Sequence, residues 1–160
     1  MDGTGKAYVA SWNDGQLVAV DLQSGEKKTI AGGLVHAFGV ALDRNGKAYV
    51  GQSDGTNLYE VGLTDGAKRV VTGLPGANTA RVELDGAGKA YVTDPSGGRL
   101  YEVGLADGAQ RVVASGLGHP FGVALDGGSG QIYVSNRDGQ LWRVSRRAAR
   151  ALGGVGKVVV

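Results

Sequence analysis

Two histidines and an asparagine occupy one recurring position of the sequence. His36, Asn78 and His119 lie 42 and 41 residues apart, each just before a short segment that is mainly apolar. Imidazole is a common ligand of divalent transition metals, so His36 and His119 are candidate metal ligands. The alternative is that these three side chains hydrogen-bond a turn, since no carboxylates accompany the histidines at a spacing typical of a metal site. We therefore expect no obligatory cofactor.

A second feature is the segment from Ala80 to Asp85, which carries two charges where equivalent segments are apolar. Arg81 and Glu83 are two residues apart, so in a strand they share one face. The guanidinium would clamp a carboxylate or another anion, with Glu83 as orienting partner or general base, which makes the two the candidate catalytic residues. The alternative is a structural ion pair, because lone charges in a low-dielectric site are costly.

Trp12 is an aromatic residue at a position where the other copies of the pattern have Ser53, Pro95 and Arg137. An exposed indole can stack on a sugar ring or an aromatic ligand, or anchor a protein contact. The alternative is that Trp12 packs on a neighbouring unit of the fold.

The overall composition excludes several classes of function. The chain has 160 residues, 17 basic and 15 acidic side chains and a net charge of +2, far from the basic balance of nucleic-acid-binding proteins. It has no cysteine, no apolar run of membrane-spanning length and no signal-peptide pattern at Met1. We expect a soluble protein without a nucleic-acid or membrane partner; its compartment is not determined. No nucleophile–His–Asp arrangement or phosphate-binding loop is found.

These residues are embedded in a fourfold repeat. A Gly-x-x-Tyr-Val pattern recurs at Tyr8, Tyr49, Tyr91 and Tyr133, at spacings of 41, 42 and 42 residues. A fixed period of this length is typical of a repeat fold. The pattern predicts one domain over residues 1–160, with repeats at about 3–43, 44–85, 86–126 and 127–160.

Each repeat contains four short extended segments, called a to d. Segment a is Phe38–Asp43 in the second copy, segment b is the Tyr-Val pattern, segment c is Asn57–Val61 with alternating polarity, and segment d is Arg69–Val71. Asp-Gly pairs and other glycines between them predict tight turns. Four antiparallel strands in about 42 residues make one propeller blade, so we predict an all-β β-propeller of about four blades.

The predicted strand order places the candidate residues on one face. Consecutive antiparallel strands alternate in direction, so the d–a and b–c loops emerge together. The d–a loops contribute His36, Asn78 and His119, and the b–c loops contribute Ser11, Gln52, Asp94 and Asn136. The predicted ligand-binding residues are Trp12, His36, Gln52, Asn78, Arg81, Asp94, His119 and Asn136.

The segment His119–Asp126, followed by Gln131-Ile132-Tyr133-Val134, resembles NHL-repeat and YWTD-type propellers. More loosely, it is similar to the senescence marker protein/gluconolactonase and virginiamycin B lyase groups. The resemblance covers essentially the whole chain and implies a propeller fold, but says little about activity. In the gluconolactonase group a metal ligand precedes the glycine of strand a. Here that position holds Phe38, Ala80 and Phe121, so the resemblance implies that those blades lack that metal site.

Four complete repeats would have 16 strands, and the sequence has one strand fewer. Asp2 occupies the position of Asp43, so strand a of the first repeat is missing, and Val158-Val159 matches the last strand d after a loop with a predicted helical turn at Arg146–Leu152. The sequence thus predicts 15 strands. Three explanations remain: a fragment of a longer propeller, two or more copies forming one ring or stack, and a compact ring with imperfect closure. We expect self-association through open blade edges.

Three functions are consistent with these features. The leading hypothesis is a non-catalytic propeller module that binds a small molecule or a protein on the face with the d–a and b–c loops. The alternative is part of a propeller hydrolase or lyase of lactonase-like type. The third is a truncated or engineered scaffold without a ligand.

Overall fold

The computed structural model describes residues 2–75 and 78–145, and the backbone of residues 155–158. In this part of the chain 15 strands form four antiparallel sheets, which are the blades. Blade 1 contains β1 (Lys6–Ser11), β2 (Gln16–Asp21) and β3 (Lys27–Ala31). Blade 2 contains β4 (Ala37–Leu42), β5 (Lys47–Gln52), β6 (Asn57–Gly62) and β7 (Lys68–Gly73). Blade 3 contains β8 (Val82–Leu84), β9 (Lys89–Asp94), β10 (Arg99–Gly104) and β11 (Gln110–Ala114), and blade 4 contains β12 (Pro120–Asp126), β13 (Gln131–Asn136), β14 (Leu141–Ser145) and β15 (Val155–Val158).

The prediction of a propeller with an incomplete first blade is confirmed. Blade 1 has strands b, c and d only, and the other three blades are four-stranded meanders in sequence order. Strand a of the third repeat is shorter than predicted and begins at Val82, because Ala80 and Arg81 both oppose Thr93 and interrupt the regular ladder. The amide of Arg81 donates a hydrogen bond to the side-chain Oγ1 of Thr93 (3.1 Å). The helical turn predicted at 146–152 and the predicted strand residue Val159 lie outside the described residues.

Aspartates at the end of strand a close the a–b hairpins. Oδ1 of Asp43 accepts hydrogen bonds from the amides of Asn45 (2.9 Å) and Lys47 (2.8 Å), and Asp85 does the same for Ala87 and Lys89. An Asx turn of this kind fixes the chain reversal through a side chain that mimics the backbone. These aspartates are therefore structural.

The hydrophobic core lies between successive blades. Three clusters of buried side chains join blade 1 to blade 2, blade 2 to blade 3, and blade 3 to blade 4. Within the described residues no such cluster joins blade 4 to blade 1, so closure of the ring is not seen. The blades, as far as the structure describes them, form an arc whose first and last members each have one blade face without a neighbouring blade.

A repeated ion network supports blades 2 and 3 on the outer part of each sheet. In blade 3, Glu102 accepts hydrogen bonds from Lys89 Nζ (2.6 Å), Arg111 Nε (3.1 Å) and Nη2 (3.0 Å), and Tyr91 OH (2.8 Å). Glu60 has the equivalent partners in blade 2. Burial opposes ionisation of Glu102, but hydrogen bonds from Arg111 and Lys89 outweigh it and lower its pKa to about 2.

Candidate functional site

The d–a and b–c loops lie together, and we call this side of the arc the mouth face. In three blades the recurring His or Asn of the d–a loop contacts the b–c loop of the same blade. His36 Nδ1 lies 3.3 Å from Asp54 Oδ2, Asn78 Nδ2 donates to Ser96 Oγ (2.9 Å), and His119 Nδ1 lies 3.9 Å from Asp138 Oδ1. The recurring His/Asn position therefore ties each inner strand to a neighbouring loop.

Gln52, Asp94 and Asn136 are buried beneath the mouth face. Gln52 Nε2 donates to the carbonyl of Val35 (2.7 Å), and Asn136 Nδ2 donates to the carbonyl of Leu117 (2.9 Å). Asp94 Oδ1 accepts hydrogen bonds from the amides of Asn78 (3.1 Å) and Gly97 (2.9 Å). These three buried side chains hold the loops in place.

Trp12 bridges blade 1 to blade 2 on the mouth face. Its indole stacks on the ring of His36 with centroids 4.6 Å apart and an interplanar angle of 16°, and Nε1 donates a hydrogen bond to Ser53 Oγ. His36 has a φ of 52°, a left-handed conformation that is uncommon outside glycine and in which asparagine, aspartate and histidine are enriched. Trp12 packs on the neighbouring blade and still remains 44 % exposed to solvent.

Two phenylalanines and two arginines meet where the inner strands reach the mouth face. The rings of Phe38 in β4 and Phe121 in β12 contact edge to face with centroids 5.4 Å apart. The guanidinium carbon of Arg81 lies 4.9 Å from the centroid of Phe38, and that of Arg137 lies 4.4 Å from the centroid of Phe121. We call these four residues the Arg–Phe cluster.

Arg81 and Glu83 do not form the ion pair considered from the sequence. Arg81 is exposed and lies over Phe38, and neither charge has a salt-bridge partner among the described residues. Glu83 lies deeper along the inner strand and lines a cavity of about 250 Å³ with Tyr8 and Leu84. Burial raises the pKa of Glu83 above its usual value. Arg81 and Glu83 therefore lie in separate environments, one at the exposed mouth face and one at a small cavity.

The geometry does not assemble a metal centre from the histidines. His36 belongs to blade 2 and His119 to blade 4, and each contacts its own aspartate. Among residues 2–75 and 78–145, no group of three or more His, Cys, Asp or Glu side chains could hold a metal ion.

The sequence analysis did not identify Arg137, Phe38 and Phe121 as members of a cluster on the mouth face. Arg137 occupies the same repeat position as Trp12, and this departure from the repeat was the available signal. The contact between the two phenylalanines carries no sequence signal, because they are 83 residues apart and belong to non-adjacent blades.

Two larger cavities lie on the opposite face, where the sequence predicted only turns. One of about 850 Å³ lies between blades 2 and 3, and one of about 640 Å³ lies between blades 1 and 2. The first is lined by Glu60, Lys47 and Arg69, whose charges are already paired with each other. The charges of these three residues are therefore satisfied within blade 2.

The fold and the mouth face define the class of structure, which is a β-propeller. The chain is similar to virginiamycin B lyase from Staphylococcus aureus, with a TM-score of 0.81, 12 % identity, and coverage of 100 % of this chain and 54 % of that chain. A chain of the nidogen/laminin complex gives 0.76, 16 % identity, and coverage of 86 % and 56 %, and a streptogramin B lyase gives 0.73, 13 %, 96 % and 53 %. At these identities the likeness shows the fold alone.

More particular assignments do not follow from the comparisons. No protein-family model matches the sequence, and no curated protein matches it. The chain spans about half the length of the solved propellers that it matches. None of the described residues belongs to a helix long and apolar enough to span a membrane.

Proposed function

We propose that this chain is a non-catalytic binding module whose Arg–Phe cluster takes a carboxylate ligand with an aromatic body. The observation that carries the proposal is the pair of exposed guanidinium groups of Arg81 and Arg137, each held over a phenyl ring and without a carboxylate partner in the described structure. A guanidinium in this setting has its full set of donors available for a planar carboxylate.

The aromatic part of the ligand is argued from the rings beside these charges. Phe38 and Phe121 are only half-buried at the mouth face, so their apolar edges are accessible between the two arginines. Trp12 adds an indole on the same side of the arc, already oriented by its stack on His36. Aromatic rings pack favourably in edge-to-face or offset geometry, which suits a phenyl or indole group on the ligand.

Titration with benzoate tests this proposal, with benzamide as the neutral analogue. We expect benzoate to perturb NMR signals of the Arg–Phe cluster, and Arg81→Ala or Arg137→Ala to weaken its binding about tenfold, the loss of one charge-assisted contact. Arg44→Ala is the matched control, because Arg44 is exposed on an a–b turn of the opposite face. Equal binding of benzamide, or no effect of either mouth-face substitution, would contradict the proposal.

Acidic side chains of proteins carry the same carboxylate group. A second titration therefore uses the peptide acetyl-Glu-Phe-Glu-amide in place of benzoate. The likeness to a chain of the nidogen/laminin complex, whose name records a protein complex, supports including this titration. Binding of the peptide at least tenfold tighter than benzoate would identify a protein partner as the source of the carboxylate. The reverse order would identify a small molecule.

A catalytic function is the second candidate, and two observations favour it. The fold is similar to virginiamycin B lyase, including a catalytically inactive form solved with quinupristin, at a TM-score of 0.80 and 12 % identity. Glu83 has an unpaired carboxyl with a raised pKa and would be the general base. Incubation with quinupristin followed by mass spectrometry separates the two candidates. Our proposal expects unchanged quinupristin; turnover that Glu83→Gln abolishes would replace it with the catalytic function.

Self-association is the remaining prediction about partners. The sequence predicts self-association at open strand edges, and we propose it for the same reason. Blade 1 lacks its inner strand, which leaves one edge of β1 without a strand partner in the described sheet.

A further inference from the structure

One face of blade 1 is uncovered, although its residues belong to positions that are buried in every other blade. Within the chain each blade packs a leading face against the blade before it and a trailing face against the blade after it. On the leading face of blade 1, Val9 is 49 % exposed. The residues at the same repeat position, Val50, Val92 and Val134, are all 0 % exposed.

Other residues of the same face repeat this contrast. Leu22 is 53 % exposed, whereas its equivalents Leu63 and Leu105 pack into the clusters between blades. Val20 is half-buried, whereas Val61 is fully buried. The leading face of blade 1 thus carries the apolar side chains of a blade interface without the neighbouring blade.

The c–d turns give an independent indication of the same absence. A side chain added at Gly66 would overlap the carbonyl oxygen of Ile30 in the preceding blade, and one added at Gly108 would overlap that of Val71. Both glycines have a φ of +68°, and the equivalent Gly25 has a φ of +74°. Nothing lies within 4 Å of the corresponding position at Gly25. The c–d turn of blade 1 therefore has the same conformation as the turns that contact a preceding blade, but no preceding blade contacts it.

Blade 4 shows the complementary defect on its trailing face. Tyr133 and Leu141 are only half-buried. Their equivalents in blade 3, Tyr91 and Leu100, are 1 % and 0 % exposed against blade 4. The chain therefore ends in one unfilled leading face and one unfilled trailing face, which are the two halves of the interface that it makes three times internally.

We propose that a second copy of this chain covers both faces. The trailing face of blade 4 in one copy packs on the leading face of blade 1 in the other, and a two-fold axis repeats the contact to close a ring of eight blades. The chain spans about half the length of the propellers it matches, so two copies together are about as long as one of those propellers. A head-to-tail contact that closes under rotation gives a ring, not a filament.

A back-to-back pairing of two identical faces is disfavoured by the side chains. Leading faces carry small and β-branched residues, such as Ala7 and Val9, whereas trailing faces carry Tyr133 and Leu141 at the facing positions. All three interfaces inside the chain join a leading face to a trailing face. The proposal specifies more than open-edge association, because it names the faces and their orientation and holds whichever ligand binds at the mouth face.

Sedimentation of the purified chain tests the stoichiometry. We expect a species of twice 16.3 kDa at micromolar concentration. Val9→Glu places a charge in both interfaces of the ring and is expected to weaken dimerisation 100-fold or more. Val70→Glu is the matched control, because Val70 is 48 % exposed in β7, away from both open faces. Circular dichroism verifies that each variant folds. A monomer at all concentrations, or a dimer unaffected by Val9→Glu, would overturn the proposal.

Mixing two variants tests the orientation. Leu141→Glu alone and Val9→Glu alone are each expected to be monomeric, because each spoils both contacts of the homodimer. A mixture of the two retains one contact with wild-type residues on both sides, so dimers should reappear on mixing. Dimers of Leu141→Glu alone would indicate a leading-to-leading pairing and would refute the head-to-tail arrangement.

Discussion

Replacement of Glu102 with alanine is expected to lower the free energy of unfolding by about 3 kcal/mol, because it removes the acceptor of a buried ion network. The carboxylate is 10 % exposed and binds Lys89, Arg111 and the hydroxyl of Tyr91. For a chain of this size the melting temperature should fall by roughly 6 to 12 °C. Thermal and urea unfolding followed by circular dichroism measure the change.

The matched control is Glu26→Ala, which removes an exposed glutamate whose side chain makes no ion pair among the described residues. We expect a change of about 0.5 kcal/mol or less for this variant. The repeat contains a natural comparison, since Ala19 occupies the position of Glu102 in blade 1 and the hydroxyl of Tyr8 there donates to Asp2 instead (3.2 Å). Equal effects of the two substitutions would contradict a stabilising role for the network.

The effect of Glu102→Ala should depend on pH in a defined window. The folded pKa of Glu102 is about 2, below the ordinary value of 4.5, so ionised Glu102 stabilises the folded state. Its contribution is fully present above pH 4.5 and declines as the pH falls towards 2. The difference in stability between wild type and variant should therefore shrink over this range. A difference that is constant from pH 7 to pH 2.5 would show that lost packing, not lost charge, causes the effect.

Replacement of Gly51 with alanine is the second change with a large expected effect, again about 3 kcal/mol of unfolding free energy. The added methyl group would overlap the carbonyl oxygen of Thr79 and lie 3.1 Å from its carbonyl carbon. Thr79 cannot readily move, because it is fully buried and its hydroxyl is held on two sides. Its Oγ1 accepts a hydrogen bond from the amide of Gln52 (2.9 Å) and donates one to the carbonyl of Asn57 (2.9 Å). Urea unfolding compares the variant with wild type.

Gly127→Ala is the control for this substitution. Gly127 has nothing within 4 Å of an added methyl group and does not have a left-handed φ, so we expect a change within about 0.5 kcal/mol. If Gly51→Ala were as stable as Gly127→Ala, blades 2 and 3 would have to separate freely at this point, against the close approach of Gly51 and Thr79.

Much of the fold could be predicted because its signals are local and repeated. The spacing of the four tyrosines and the alternation of segments such as Asn57–Val61 depend on the two-residue period of a strand, which a sequence records directly. The exception was strand a of the third repeat, where the side chain of Thr93 takes a backbone amide. That hydrogen bond joins residues twelve positions apart, and no repeating pattern of the sequence indicates it.

The candidate site was predictable only in part. The mouth face and the positions of Trp12 and His36 follow from strand direction, which a meander fixes. The burial of Gln52, Asp94 and Asn136 does not follow from it, because a polar side chain in a loop can turn towards solvent or towards an unsatisfied backbone group. Only the positions of the carbonyls of Val35 and Leu117 decide between the two.

The sequence by itself determined the repeat, the strands and the missing strand of blade 1. Tertiary structure alone decided which side chains meet: the contact of Phe38 with Phe121, the separation of Arg81 from Glu83, and the exposure of Val9 at a position buried in its three equivalents. The physical reason is that a repeat specifies each blade by local geometry. Contacts between blades depend on how the blades are arranged around an axis, and a valine in the sequence does not show whether a neighbouring blade covers it.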